Sequence, residues 1–173
     1  MTERPPFLVR LDAGMSDLTW WIHADSPEQI AQTLAEVEVL TDAPAGDVPE
    51  AIALADVGAV PALARLREQR DRQRARPEFG ALLGRERVYL SQRDEECGDD
   101  GTYLVEVDSG GWRLRQVGRR PDGASYRTGP DDWAFNFRQD LYDPDLVEDE
   151  ISAEEFEEAW AGASPGPGPD PFG

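Results

Sequence analysis

The sequence predicts an α+β fold in which an antiparallel β-sheet is covered by helices on one face. Two observations predict it. Apolar and polar residues alternate near the amino terminus and again between residues 87 and 128, whereas helix caps and apolar positions three or four residues apart fill the stretch from 26 to 83. The first pattern is typical of half-buried strands and the second of amphipathic helices. We therefore expect one domain over residues 1–161, followed by a disordered tail rich in proline and glycine at 162–173.

The first strands of the sheet are predicted at residues 6–11 and 17–23. The turn signal Ala13-Gly14 separates them, and the second segment alternates strictly. Its apolar face carries Leu18, Trp20 and Ile22. A period of two on either side of a short turn indicates a β-hairpin.

A helix is predicted directly after this hairpin. Ser26 is a good N-cap, Pro27 suits the first helical position, and Gln29 completes a capping box. Ile30 and Leu34 then form an apolar face, because residues four apart are neighbours on a helix.

The segment that follows is predicted to add one strand and two helices. Residues 36–40 alternate, which favours a strand that leaves the first helix. A short helix over 48–56 is expected to be capped by Asp47, and a longer helix is opened by Pro61 and closed by Pro77. Together the helices form the layer that we expect to cover the sheet.

A β-meander is predicted between residues 87 and 128. Its strands are expected at 87–91, 102–107, 112–117 and 125–128. One hairpin turns at Gly110-Gly111, because glycine readily supplies the positive φ that a tight hairpin turn needs. Strict alternation in the third strand places Arg113 and Arg115 on the same face of the sheet.

A last helix is predicted from Ser152 to about residue 161. It starts with a capping box in which Ser152 is paired with Glu155. Phe156 and Trp160 share its apolar face, and glutamates occupy most of the rest. We expect this helix to close an edge or the open face of the sheet.

Negative charge is concentrated at the carboxyl end of the chain. The formal net charge is −19, and residues 139–173 hold eleven of the 36 acidic residues and no basic one. Six arginines between Arg65 and Arg76 form the opposite pole. A surface this acidic repels nucleic-acid phosphates and lipid headgroups and favours basic proteins. We therefore expect a basic protein partner and neither nucleic acid nor a membrane; the alternative is that the charge only maintains solubility.

The residue inventory excludes several kinds of site. Cys97 and His23 are single, which excludes a disulfide scaffold and a Cys/His zinc site. The chain has no lysine, which removes Schiff-base chemistry and the P-loop. The acidic runs at 94–100 and 143–150 lack the ligand spacing of a calcium loop. We expect no metal, cofactor or catalytic residue and, since no signal-peptide pattern is visible, a cytoplasmic protein.

Candidate contact residues lie in the aromatic and acidic stretch near the carboxyl end. Large aromatic side chains can anchor a protein partner, and acidic side chains can steer a basic one. The predicted partner-binding residues are Trp133, Phe135, Phe137, Tyr142, Asp143, Asp145, Glu148, Asp149, Glu150 and Trp160. The alternative for the alternating aromatics is that they form sheet core.

The function we expect is that of a non-enzymatic, acidic interaction protein that binds a basic protein. Immunity proteins and antitoxins of bacterial toxin systems are of this type. Two alternatives stay open. One is a small-molecule-binding regulatory domain lined by Trp20 and Trp21 or by residues 133–137, and the other is an enzyme that uses two convergent carboxylates.

Overall fold

The computed structural model describes residues 4–14, 16–42, 48, 50–93 and 101–166. It confirms the α+β class, but the sheet layout differs from the prediction: the strands form two sheets rather than one. The chain divides into two compact units, residues 1–79 and 80–173, and each contains one sheet. The strands that pair with the two outer edges of the amino-terminal hairpin come from its own unit, and the strands of the meander form a separate sheet. The expectation of one domain over 1–161 stays a prediction.

The first unit is built on the predicted hairpin. Strand β1 (Pro6–Asp12) pairs antiparallel with β2 (Asp17–His23), which confirms that prediction. Strand β3 (Val37–Leu40) pairs antiparallel with the other edge of β1, and β4 (Ile52–Ala53) pairs parallel with β2. The strand order is therefore β3-β1-β2-β4.

Two helices cover one face of this sheet. Helix α1 (Pro27–Thr33) begins as predicted, since the Ser26 hydroxyl accepts the Gln29 backbone N–H at 3.3 Å. Helix α2 (Pro61–Arg74) starts at the proline that the sequence indicates. The buried core between helices and sheet contains Val9, Ile22, Ile30, Leu34, Val57, Leu63 and Leu66.

The predicted helix over 48–56 is wrong. Residues 52–53 form β4 instead, and a 3-10 helix follows at Leu54–Ala59. Pairing of Ile52 with Ile22 on β2 holds this stretch extended, and the 3-10 helix then buries Leu54 and Val57. Asp47, the predicted cap, lies outside the described residues.

The second unit contains the predicted meander. Its antiparallel strands are β5 (Arg87–Arg93), β6 (Thr102–Asp108), β7 (Arg113–Arg119) and β8 (Ser125–Thr128). A two-residue strand, β9 (Ser164–Pro165), pairs parallel with β8. This strand falls inside the predicted tail, whose remaining residues after 166 lie outside the described part of the chain.

A β-bulge in β7 determines on which face of the second sheet Arg113 and Arg115 lie. Arg115 pairs with Glu106 and Arg113 pairs with Val107, so Leu114 is an extra residue on β7. A bulge shifts the alternation of side chains by one position. The prediction that Arg113 and Arg115 share a face is therefore wrong: their contacts, described below, lie on opposite faces of the sheet.

Each face of the second sheet is covered by a different segment. Helix α3 (Ala153–Gly162) covers one face, where Phe156 packs with Leu104 and Val117. We call this the helix face. The other face is covered by residues 133–150, which are irregular apart from the 3-10 helix Pro144–Val147, together with Leu82. We call it the strap face. Its buried cluster is Leu82, Val88, Leu90, Val105, Val107, Leu141 and Leu146.

Candidate interaction surface

A buried carboxylate organises the helix face. Glu106 on β6 is only 8% exposed in its side chain, and Arg115 donates to it from Nε at 2.5 Å and from Nη2 at 3.1 Å. Arg87 Nε lies 3.6 Å from Glu106 Oε1, and the Tyr89 hydroxyl donates to the same oxygen at 3.4 Å. Burial, and then the negative charge of Glu106, raise the pKa of Tyr89. Two cations therefore compensate the carboxylate that the sheet buries.

Arg115 links this buried carboxylate to helix α3. Its Nη1 donates to Glu157 at 3.2 Å, and its guanidinium carbon lies 5.0 Å from the ring centroids of both Phe156 and Trp160. The hydrogen bonds from Arg115 lower the pKa of Glu157. The pKa of Arg115 is raised by its hydrogen bonds to Glu106 and then by those to Glu157. The contact fixes which side of α3 faces the sheet.

The ion pair of Glu157 gives a pH dependence with a defined sign. A carboxylate whose pKa is lower in the folded than in the unfolded protein stabilises the fold above its unfolded pKa, here 4.5, and this contribution disappears as the pH falls through the folded value. We expect the Glu157→Gln variant to lose less thermal stability than the wild type between about pH 6 and about pH 3. The difference should stay below about 1 kcal/mol, because the carboxylate is half exposed and screened by solvent.

Melting temperatures of both proteins across this range check the prediction. The prediction would be contradicted if the melting temperatures of the two proteins fell equally as the pH is lowered, or if that of the variant fell more steeply.

The outward side of α3 carries acidic residues that have no cationic partner in the described part of the chain. Glu154, Glu155 and Glu158 are exposed, and residues three and four apart are neighbours on a helix surface. Glu148, in the loop just before the helix, is also exposed. Throughout the described residues, no arginine lies within ion-pair distance of these four glutamates. We call them the acidic quartet.

The other predicted acidic residues on this loop have partners within the chain. Asp143 caps a 3-10 helix by accepting the Asp145 backbone N–H at 3.0 Å. The Asp149 backbone carbonyl accepts the Ser91 N–H at 2.8 Å, and burial raises the pKa of the Asp149 carboxyl. Glu150 forms an ion pair with Arg85. The bonds of Asp149 and Glu150 attach the loop to β5 and to the residues just before it.

Two predicted aromatic residues enclose a buried arginine on the strap face. The guanidinium carbon of Arg113 lies 3.5 Å from the Trp133 ring centroid and 4.4 Å from that of Phe137. Arg113 donates to Gln116 Oε1 at 2.7 Å, and its other bonds go to residues 135 and 136. Burial lowers the pKa of Arg113 to about 10. Trp133 and Phe137 are thus half-buried over the sheet without belonging to one of its strands.

The remaining predicted aromatic residues lie in different places. Phe135 is 78% exposed. Tyr142 is half-buried, and its backbone carbonyl accepts the Gly80 N–H at 3.3 Å. Trp160 packs beside Phe156 on the helix face. The structure therefore brings the acidic loop residues together but distributes the aromatic residues over both faces of the sheet.

Sequence reasoning missed Arg113, Arg115 and Glu106 as organising residues. Alternation marked the two arginines as a pair on one face, and nothing in the local sequence signals the bulge that separates them. Glu106 was visible only as one polar position in an apolar strand.

Some arginines of helix α2 and of the residues just after it make contacts within the first unit. Arg70 is buried and donates to the Leu34 carbonyl at 3.0 Å and to Gln73 Oε1 at 2.8 Å. Arg74 donates to the Gln32 carbonyl, and Arg76 pairs with Glu78 at 3.8 Å. The bonds of Arg70 to Leu34 and of Arg74 to Gln32 attach α2 to the end of α1.

Within the ranges that the structure describes, no group of three or more metal-ligating side chains is placed to hold a metal ion. The acidic run at 94–100 lies outside those ranges. The His23 Nδ1–H donates to the Arg4 carbonyl at 2.7 Å. No helix among the described residues is long and apolar enough to cross a bilayer.

Comparison with protein-family models, with curated proteins and with solved structures finds no match for this chain.

Proposed function

We propose that the protein is a non-enzymatic interaction protein that binds a basic protein through the acidic surface of its second unit, in the manner of immunity proteins and antitoxins. The observation that carries the proposal is the acidic quartet, which is exposed and has no cationic partner among the described residues. Three of its carboxylates are neighbours on α3, and exposed carboxylates grouped in this way attract a cationic surface and speed its approach.

The arginines of the second unit support the proposal, because most of them are engaged within the unit. Seven of them contact its carboxylates, carbonyl groups or aromatic rings: Arg85, Arg87, Arg113, Arg115, Arg120, Arg127 and Arg138. Positive charge is thereby used for internal contacts, whereas the outward side of α3 retains its negative charge. A basic partner could supply the missing cations.

The direct test measures binding of a fluorescein-labelled deca-arginine peptide by anisotropy. The quartet variant carries Glu148→Gln, Glu154→Gln, Glu155→Gln and Glu158→Gln. We expect its dissociation constant at about 50 mM salt to be at least tenfold higher than that of the wild type, and wild-type binding to weaken as salt approaches about 200 mM.

A matched control separates a surface effect from a net-charge effect. The control variant carries Asp42→Asn, Glu50→Gln, Asp56→Asn and Glu68→Gln, all at exposed positions of the first unit. Both variants lose four negative charges from the formal −19. We expect the control to change the dissociation constant less than about twofold. Equal weakening by the two variants, or binding that ignores salt, would refute the proposed surface.

A further inference from the structure

Residues 133–139 cross the strap face without regular secondary structure, apart from one isolated bridge between Arg138 and Trp112. We call this segment the strap. Residues 134–136 are exposed, and Phe137 is the strap residue that packs partly against the buried cluster beneath. The strap therefore contributes little apolar burial of its own.

Most contacts of the strap's first half are made to one residue, Arg113, although Trp133 Nε1 also donates to Thr128 Oγ1 at 3.0 Å. Arg113 donates to the Phe135 carbonyl at 3.1 Å and to Asn136 Oδ1 at 3.2 Å, and Asn136 Nδ2 donates to the Arg113 carbonyl at 2.9 Å. The rings of Trp133 and Phe137 enclose the guanidinium, as described above. A single residue thus connects this part of the strap to β7.

Arg113 holds the strap with a buried positive charge, and burying that charge is energetically unfavourable. It is 8% exposed, and in the described part of the chain no carboxylate lies within ion-pair distance of it. Its hydrogen-bond partners are neutral amide and carbonyl oxygens. For a buried cation without a counter-charge, the free-energy cost of desolvation offsets much of the stabilisation from its hydrogen bonds. In contrast, Arg115 on the opposite face is compensated by Glu106 and Glu157.

We propose that the strap opens as a unit around Arg113, separately from unfolding of the sheet beneath it. In the closed form Phe135 is the exposed aromatic of the strap, and opening would present Trp133 and Phe137 as well. The strap would then switch the second unit between one exposed aromatic ring and three. This inference is independent of the proposed acidic surface.

Amide hydrogen exchange on the full chain, followed by NMR at increasing low concentrations of denaturant, tests the proposal. The reporters are the Arg113 amide, which donates to the Phe137 carbonyl at 3.4 Å, and the Gln139 amide, which donates to the Gly111 carbonyl at 2.8 Å. The reference is the set of amides of β6, which has neighbours on both sides. We expect the reporters to exchange at least about a hundredfold faster than the reference, with little dependence on denaturant.

Two matched variants sharpen the test. Arg113→Met removes the charge and the donors, and we expect it to speed Gln139 exchange by about tenfold or more while the β6 amides change much less. Arg115→Met alters the neighbouring arginine on the other face and should leave Gln139 exchange within about twofold.

Reporters that exchange only with the slow, denaturant-dependent β6 amides would overturn the proposal. So would equal effects of the two variants on Gln139. If the Arg113→Met variant does not fold, the test rests on how amide exchange of Arg113 and Gln139 in the wild type depends on denaturant.

Discussion

Replacing Gly111 with alanine is expected to lower the free energy of unfolding of the second unit by about 3 kcal/mol. Gly111 has φ +87°, a conformation that costs an L-residue energy, and a Cβ there would lie 2.1 Å from the Gln139 carbonyl oxygen. In the closed form the backbone holds the two residues together, because the Gly111 carbonyl accepts the Gln139 N–H and the Gly111 N–H donates to the Asp108 carbonyl. Urea unfolding followed by tryptophan fluorescence measures the loss.

Gly123 supplies a matched control for this prediction. Its φ of +86° is nearly the same, but a Cβ at this position would meet no atom within 4 Å. Gly123→Ala should therefore show the conformational cost alone, about 1 kcal/mol. The difference between the two variants isolates the collision with the strap. A Gly111→Ala variant no less stable than Gly123→Ala would contradict the described packing of the hairpin against Gln139.

The second large effect is expected at Glu106. Glu106→Gln keeps the shape but removes the charge that compensates Arg115 and Arg87, and it places an amide group against their donors. Breaking a buried ion pair from one side leaves uncompensated charge in the interior. We expect a loss of about 2–3 kcal/mol, below the value for a fully buried pair because Arg115 is partly exposed and retains Glu157.

Glu157→Gln is the control at the other end of the same arginine. Its carboxylate is half exposed, so its removal should cost less than about 1 kcal/mol in urea unfolding at neutral pH. If Arg115 is the shared partner, the losses from Glu106→Gln and Arg115→Met should not add in the double variant. Additive losses, or equal effects of the two glutamate variants, would show that Glu106 does not depend on Arg115.

The strands could be predicted because their signals are local. The alternation in 17–23 gives the bounds of β2 as the structure has them, and the expected edge strand at 125–128 has the bounds of β8. The Ser26 and Ser152 caps likewise mark the starts of α1 and α3, because the hydroxyls accept backbone N–H groups of the first turn. These elements need no long-range information.

The division into two sheets could not be read from these signals. It depends on Val37–Leu40 pairing with β1 and on Ile52–Ala53 pairing with β2, and both pairings join residues that are distant in the sequence. Strand propensity indicates that a segment is extended but not which edge it joins. A long-range pairing also explains why the 48–56 segment does not form the helix that its cap predicts.

The aromatic stretch alternates in the sequence but does not behave as a strand. A period of two would place Trp133, Phe135 and Phe137 on one face, whereas the structure half-buries Trp133 and Phe137 and leaves Phe135 exposed, because the segment belongs to no strand. The cation that holds the inward rings comes from Arg113, which the bulge turns toward them. A one-residue bulge leaves no pattern in the sequence that distinguishes it from a regular strand.

NMR mapping shows most directly whether a basic peptide binds at the acidic quartet. Amide shifts of the isotope-labelled chain are recorded during titration with unlabelled deca-arginine. We expect the largest shift changes on residues 148–158, and we expect them to disappear when salt is raised. Changes centred in the first unit, or spread evenly over every acidic position, would contradict it.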